Sequence, residues 1–99
     1  DRIECANEPL QREVLTILME ECAEVGQAAS KLLRFGKENR PDTGESNSVV
    51  LAHEIGDLRC MITMARDHGL INMRDVLDGE ARKHERLLVF MQHEGASAK

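Results

Sequence analysis

Five carboxylates carry the chemistry this chain could do. Glu20, Glu21 and Glu24 stand together, and Glu54 and Asp57 follow after a gap of 29 residues. With residues placed about 100° apart, the helical period, Leu10, Val14, Leu18, Val25, Ala28 and Leu32 form one apolar stripe. Glu21 falls in the middle of that stripe, Glu24 at its edge and Glu20 further round. Leu51, Ile55, Leu58, Ile62 and Ala65 form a second stripe, with Glu54 and Asp57 beside it, three residues apart on one face. A carboxylate on the core side of a helix is costly unless a cation or donor neutralises it. Two such helices facing each other would make an acidic cage. Oxygen ligands of this kind suit hard cations such as Mg²⁺ and Mn²⁺. Helical geometry selects Glu21, Glu24, Glu54 and Asp57 as metal ligands, with Glu20 as a further ligand or a general base. Acidic clusters on helices are commonly solvated faces; the position of Glu21 inside an apolar stripe, repeated in the second segment, argues against that reading here.

The elements that must position these side chains are helices. Aromatics are limited to Phe35 and Phe90, so the core must come from Leu, Ile, Val, Met and Ala, residues that suit helices. Three helices are expected over residues 8–35, 48–68 and 73–91, giving a single all-α domain over 1–99. Asn7 is the expected cap of the first helix, with Glu8 and Pro9 in its first turn. Gly36 is its stop, and Lys31, Arg34 and Lys37 suit its C-terminal end. Gly26 is read as a point of close helix packing. Residues 36–48 form a polar loop whose cations are Lys37 and Arg40. The second helix starts near Asn47 or Ser48 and ends before Gly69. Asn72 caps the third, whose stripe is Met73, Leu77, Ala81, Leu88 and Met91, and residues 92–99 are expected to fray.

Composition narrows the function. A net charge of −5 disfavours an extended nucleic-acid surface. No apolar run approaches a membrane span, and no secretory signal is visible. Cys5, Cys22 and Cys60 are odd in number and lack CxxC spacing, which predicts reduced thiols in a cytoplasmic setting, with Cys22 and Cys60 as packing residues. His53 precedes Glu54 but points away from it, without HExxH spacing, and His84 reads as a packed or interfacial residue. No serine or cysteine nucleophile with a base and no glycine-rich phosphate loop is visible, so phosphate binding would rest on metals and isolated cations.

The spacing Glu20-Glu21-x-x-Glu24 … Glu54-x-x-Asp57-Leu58 resembles the EExxE…ExxD signature of the all-α nucleoside triphosphate pyrophosphohydrolases, which take in MazG, the dimeric dUTPases, the dCTP pyrophosphatases and phosphoribosyl-ATP pyrophosphohydrolase. Ile17-Leu18-Met19, Val25-Gly26-Gln27-Ala28 and Glu54-Ile55-Gly56-Asp57-Leu58 fit as well. The resemblance spans roughly residues 9–90. It implies a helical, oligomeric enzyme that uses two or more Mg²⁺ or Mn²⁺ ions to cut between the α- and β-phosphates, releasing a monophosphate and pyrophosphate. The ligands it implies are Glu21, Glu24, Glu54 and Asp57, the four that helical geometry selects; Glu20 and Glu21 are the residues expected to act in catalysis. It also implies a Lys and an Arg on the next helix for the phosphates, where Lys83 and Arg86 are the nearest matches; Lys31 and Arg34 are alternatives. The usual aromatic-proline segment is replaced by Leu87-Leu88-Val89.

Three helices of this length enclose their own stripes poorly. A homodimer or homotetramer with four-helix packing across the interface is therefore expected. A lean towards purine substrates rests on the resemblance alone. Phosphoribosyl-ATP hydrolysis is the alternative within the enzyme class. Outside it stand a non-enzymatic metal-binding bundle and a purely structural interaction bundle.

Overall fold

The computed structural model of the chain describes residues 9–38 and 44–91. Among the described residues there are three helices and no strand: α1 Pro9–Phe35, α2 Asn47–Asp67 and α3 Met73–Phe90. The expected Asn7 cap with Glu8, the loop cation Arg40, the thiol Cys5 and the fraying of 92–99 lie outside the described residues.

Local chemistry sets the ends of each helix. Gly36 adopts φ 85° and Gly69 φ 78°, left-handed conformations that glycine reaches without a Cβ penalty. Ser46, one residue before the expected start, caps α2 by accepting from the Val49 N–H at 3.2 Å. Asn72 Oδ1 accepts from the Arg74 and Asp75 N–H groups at 2.7 and 3.4 Å, which fixes the start of α3.

α1 and α2 pack along each other and hold the core, while α3 packs along neither. The core is small. Val14, Ala28 and Ala65 are its buried apolar residues among those described, and two polar residues are buried beside them. Gln11 donates from Nε2 to the His68 carbonyl at 2.7 Å, tying the start of α1 to the end of α2. Asn47 donates from Nδ2 to the Gly36 carbonyl at 3.0 Å, and the Ser48 N–H donates to the Lys37 carbonyl at 3.1 Å. These bonds tie the other end of the pair.

The structure corrects several expectations. Leu10 is exposed and Gln11 takes the inward place, because its amide satisfies a carbonyl at the end of α2. Ile55 is exposed, and the inward face of α2 runs instead through Asn47, Val50, Leu51, Glu54, Leu58 and Ala65. The rotation that exposes Ile55 turns Glu54 inward. Cys22 and Cys60 are exposed free thiols and not packing residues. His84 is exposed, so the packed half of its expectation does not hold among the described residues. The stripe of α3 is uncovered, with no residue of the helix buried. Gly26 does not serve close packing, since nothing lies within 4 Å of where its Cβ would stand. Gly26→Ala is therefore expected to stabilise the protein by about 0.5–1 kcal/mol, through helix propensity alone; urea unfolding of the two proteins is the check.

Candidate metal and phosphate site

The packing of α1 on α2 brings acids from both helices to one place. One carboxylate oxygen from each of Glu21, Glu54 and Asp57 lies within 4.8 Å of those of the other two. Glu21 and Glu54 are half-buried and Asp57 is exposed at the mouth. Glu21 comes from the middle of α1, where the inward face is otherwise Val14, Leu18, Val25 and Ala28. Glu54 and Asp57 come from one side of α2, three residues apart.

The electrostatics are unfavourable for three anions. Burial pushes the Glu21 carboxyl above its ordinary 4.5, and the charges of Glu24, Asp57 and Glu20 push it further. Burial also raises Glu54 above 4.5, followed by a hydrogen bond shared with Glu24 and the charges of Glu24, Asp57 and Glu21. Glu21 Oε1 and Glu54 Oε1 are buried and have no hydrogen-bond partner among the described residues. Buried polar atoms are normally satisfied, so two orphaned acceptors in one cluster fit a cation. An all-carboxylate donor set fits a hard one.

Glu24 stands apart from the three-way cluster but reaches Glu54. It also lines a cleft of about 300 Å³ with Gln27, Ala28, Lys31, Val50 and Glu54. The cleft wall thus has Glu24 and Lys31 two turns apart on α1, and Glu54 on α2. Glu20 is exposed and reaches the cluster only through its charge on Glu21.

The remaining cations are placed less favourably. Arg34 bends back, donating from Nε to the Ser30 carbonyl at 3.4 Å, with its guanidinium 5.0 Å from the Phe35 ring centre. It does not line the cleft, and neither does Lys37. Lys83 and Arg86 are exposed on α3 and line neither cleft nor cluster within one chain. The sequence reading missed Gln27 and Val50 as cleft residues. Gln27 follows Glu24 by three residues and shares its face, a signal that the focus on charged groups passed over.

The chain matches no protein-family model, no curated protein and no solved structure. No described helix is long and apolar enough to cross a membrane.

Proposed function

We propose that the chain is a metal-dependent nucleoside triphosphate pyrophosphohydrolase of the MazG-like kind, converting a nucleoside triphosphate and water to a monophosphate and pyrophosphate. The observation that supports this most is the pair of buried carboxylate oxygens, Glu21 Oε1 and Glu54 Oε1, that have no partner among the described residues, within a cluster drawn from two helices. Glu21, Glu54 and Asp57 would hold Mg²⁺ or Mn²⁺, with Glu24 joining them from the cleft. A divalent cation bound there supplies Lewis-acid chemistry, polarising a phosphate oxygen and acidifying a water.

The other roles fall to the chain's own residues. Lys31, which lines the same cleft, would meet the phosphates as a point charge. Glu20, outside the cluster but electrostatically coupled to it, accepts the proton of the attacking water. The half-buried setting of Glu21 and Glu54 lowers the local dielectric and strengthens every charge interaction there. The protein works as a homodimer or homotetramer. The lean towards purine nucleotides stays attached to the family resemblance.

Incubation with each ribo- and deoxynucleoside triphosphate and Mg²⁺, with detection of pyrophosphate and monophosphate, is the test. Pyrophosphate from at least one substrate is expected. Manganese binding without product would favour a metal-binding bundle, and neither would favour an interaction bundle. On the substrate that is cleaved, Lys31→Ala is expected to raise KM about tenfold, the loss of one charge-assisted contact of about 1.5 kcal/mol, as read in steady-state kinetics. An equal effect from Arg34→Ala would remove the special position of Lys31.

A further inference from the structure

The cleft beside the acid cluster is short of hydrogen-bond donors. It is lined by Glu24, Gln27 and Lys31 of α1 and Glu54 of α2, with the buried Ala28 and the half-buried Val50 as its apolar part. An ionised carboxylate only accepts, an ammonium only donates, and a carboxamide offers two N–H donors and a carbonyl. The side chains of Ala28 and Val50 offer neither, and backbone N–H groups inside a helix are spent on its own carbonyls. The donors left in the cleft are therefore those of Lys31 and Gln27. Lys31 has a place in the proposed function and Gln27 has none. Gln27 is exposed, and among the described residues its amide makes no hydrogen bond.

The place of Gln27 along the helix decides what it can meet. It follows Glu24 by three residues and precedes Lys31 by four, rises of about 4.5 and 6 Å. An acid that would join the metal thus stands at one end of the row and an ammonium at the other, with the amide between them. A linear polyanion running from the metal to Lys31 passes Gln27. A nucleoside suits the row less well. At about 300 Å³ the cleft is at the small end of ligand sites, so it holds part of a nucleotide and not the whole. Bases gain most from stacking on aromatic rings, and neither Phe35 nor Phe90, the two aromatic residues of the sequence, lines the cleft.

We infer that Gln27 is a second phosphate-binding residue beside Lys31, donating from Nε2 to the oxygens of the pyrophosphate part of the substrate. A neutral donor orients the phosphates without a further charge that would hold the product, whose release often limits turnover. The inference rests on the metal-dependent hydrolase reading above and deepens it.

The probe is inorganic pyrophosphate, titrated calorimetrically into the full chain at saturating Mg²⁺, with adenosine monophosphate as the second probe. Gln27→Leu keeps the bulk and the helix propensity of the side chain. It should raise the Kd for pyrophosphate about tenfold, the effect of one charge-assisted hydrogen bond. The Kd for adenosine monophosphate and the affinity for Mn²⁺ should stay within about twofold of the parent values. Gln27→Lys restores a donor and should bind pyrophosphate at least as tightly as the parent protein. Pyrophosphate binding unchanged in Gln27→Leu overturns the assignment. An equal or larger loss of adenosine monophosphate binding places Gln27 at the nucleoside and overturns it too. Equal loss in Gln27→Leu and Gln27→Lys makes the residue structural, with the same consequence. A parent protein that binds Mn²⁺ but neither binds pyrophosphate nor cleaves any nucleoside triphosphate overturns the hydrolase reading and this inference with it. A parent that cleaves a triphosphate, with Gln27→Leu still binding pyrophosphate as before, overturns the inference alone.

Discussion

Asp57→Asn protein will keep its helix content, bind Mn²⁺ at least about 100-fold more weakly and release no measurable pyrophosphate. The loss of stability should be negligible, because Asp57 is exposed at the cluster mouth and contributes nothing to the core. The loss of affinity should be large, because it removes one of three anionic oxygens that converge within 4.8 Å. Loss of an outer hydrogen-bond partner of a ligand already costs about 10–100-fold, and a direct ligand should cost more. Glu24→Gln is expected to weaken the metal less, since Glu24 lies outside the three-way cluster, but it too should lose turnover because it lines the cleft. Titration with Mn²⁺ followed by electron paramagnetic resonance measures the first effect, and the nucleotide assay the second. Equal Mn²⁺ affinity in parent and Asp57→Asn proteins would sink the cluster as a metal site.

Glu54→Gln should move stability and activity in opposite directions. In the metal-free protein Glu54 is held above its ordinary 4.5 by burial, by Glu24 and by the neighbouring charges, and Glu21 is raised in the same sense. The folded state then holds more protons than the unfolded chain at pH values from 4.5 up to the raised values. Stability from these two groups is fully present below 4.5 and is lost as pH rises through their folded values. Metal-free parent protein should accordingly melt higher near pH 5 than at pH 7. Glu54→Gln replaces a repelled anion with an amide that can donate to Glu24. It should raise the melting temperature at pH 7 by a few degrees and flatten the pH dependence. Added Mg²⁺ or Mn²⁺ should stabilise the parent at pH 7, as any ligand of the native state does, and should leave Glu54→Gln unmoved. A substitution that stabilises the apo protein while abolishing catalysis marks a site kept for function at a cost in stability. Parallel loss of both, or no rise in melting temperature on acidification, would count against the acids being held in enforced proximity.

How much of this could be read from the chain depended on whether the signal was periodic. The three helices, the Gly36 stop and the Asn72 cap follow from local rules and stand where expected, with Ser46 a residue early as the cap of α2. Glu21 was legible because an acid within an apolar stripe breaks a pattern. Gln11 and Asn47 were not legible, because a polar residue is buried only where a distant carbonyl waits for it, here those of His68 and Gly36. The wheel placed Ile55 inward because it treats every apolar side chain alike, whereas the packing turned Glu54 inward beside it. Lys83 and Arg86 could be numbered but not located, since the path of α3 is decided by how residues 68–72 leave α2.

The clasp at the far end of the helix pair has a practical consequence. Asn47 and Ser48 bond straight to the carbonyls of Gly36 and Lys37, so the mouth of the connecting loop is closed by its own rim. The spacing of Glu21 from Glu54 therefore does not depend on how many residues lie between Glu38 and Gly44. Asn47→Ala, which unfastens one bond of that clasp, should therefore loosen the pair at this end first, while the Gln11 bond to the His68 carbonyl still holds the other.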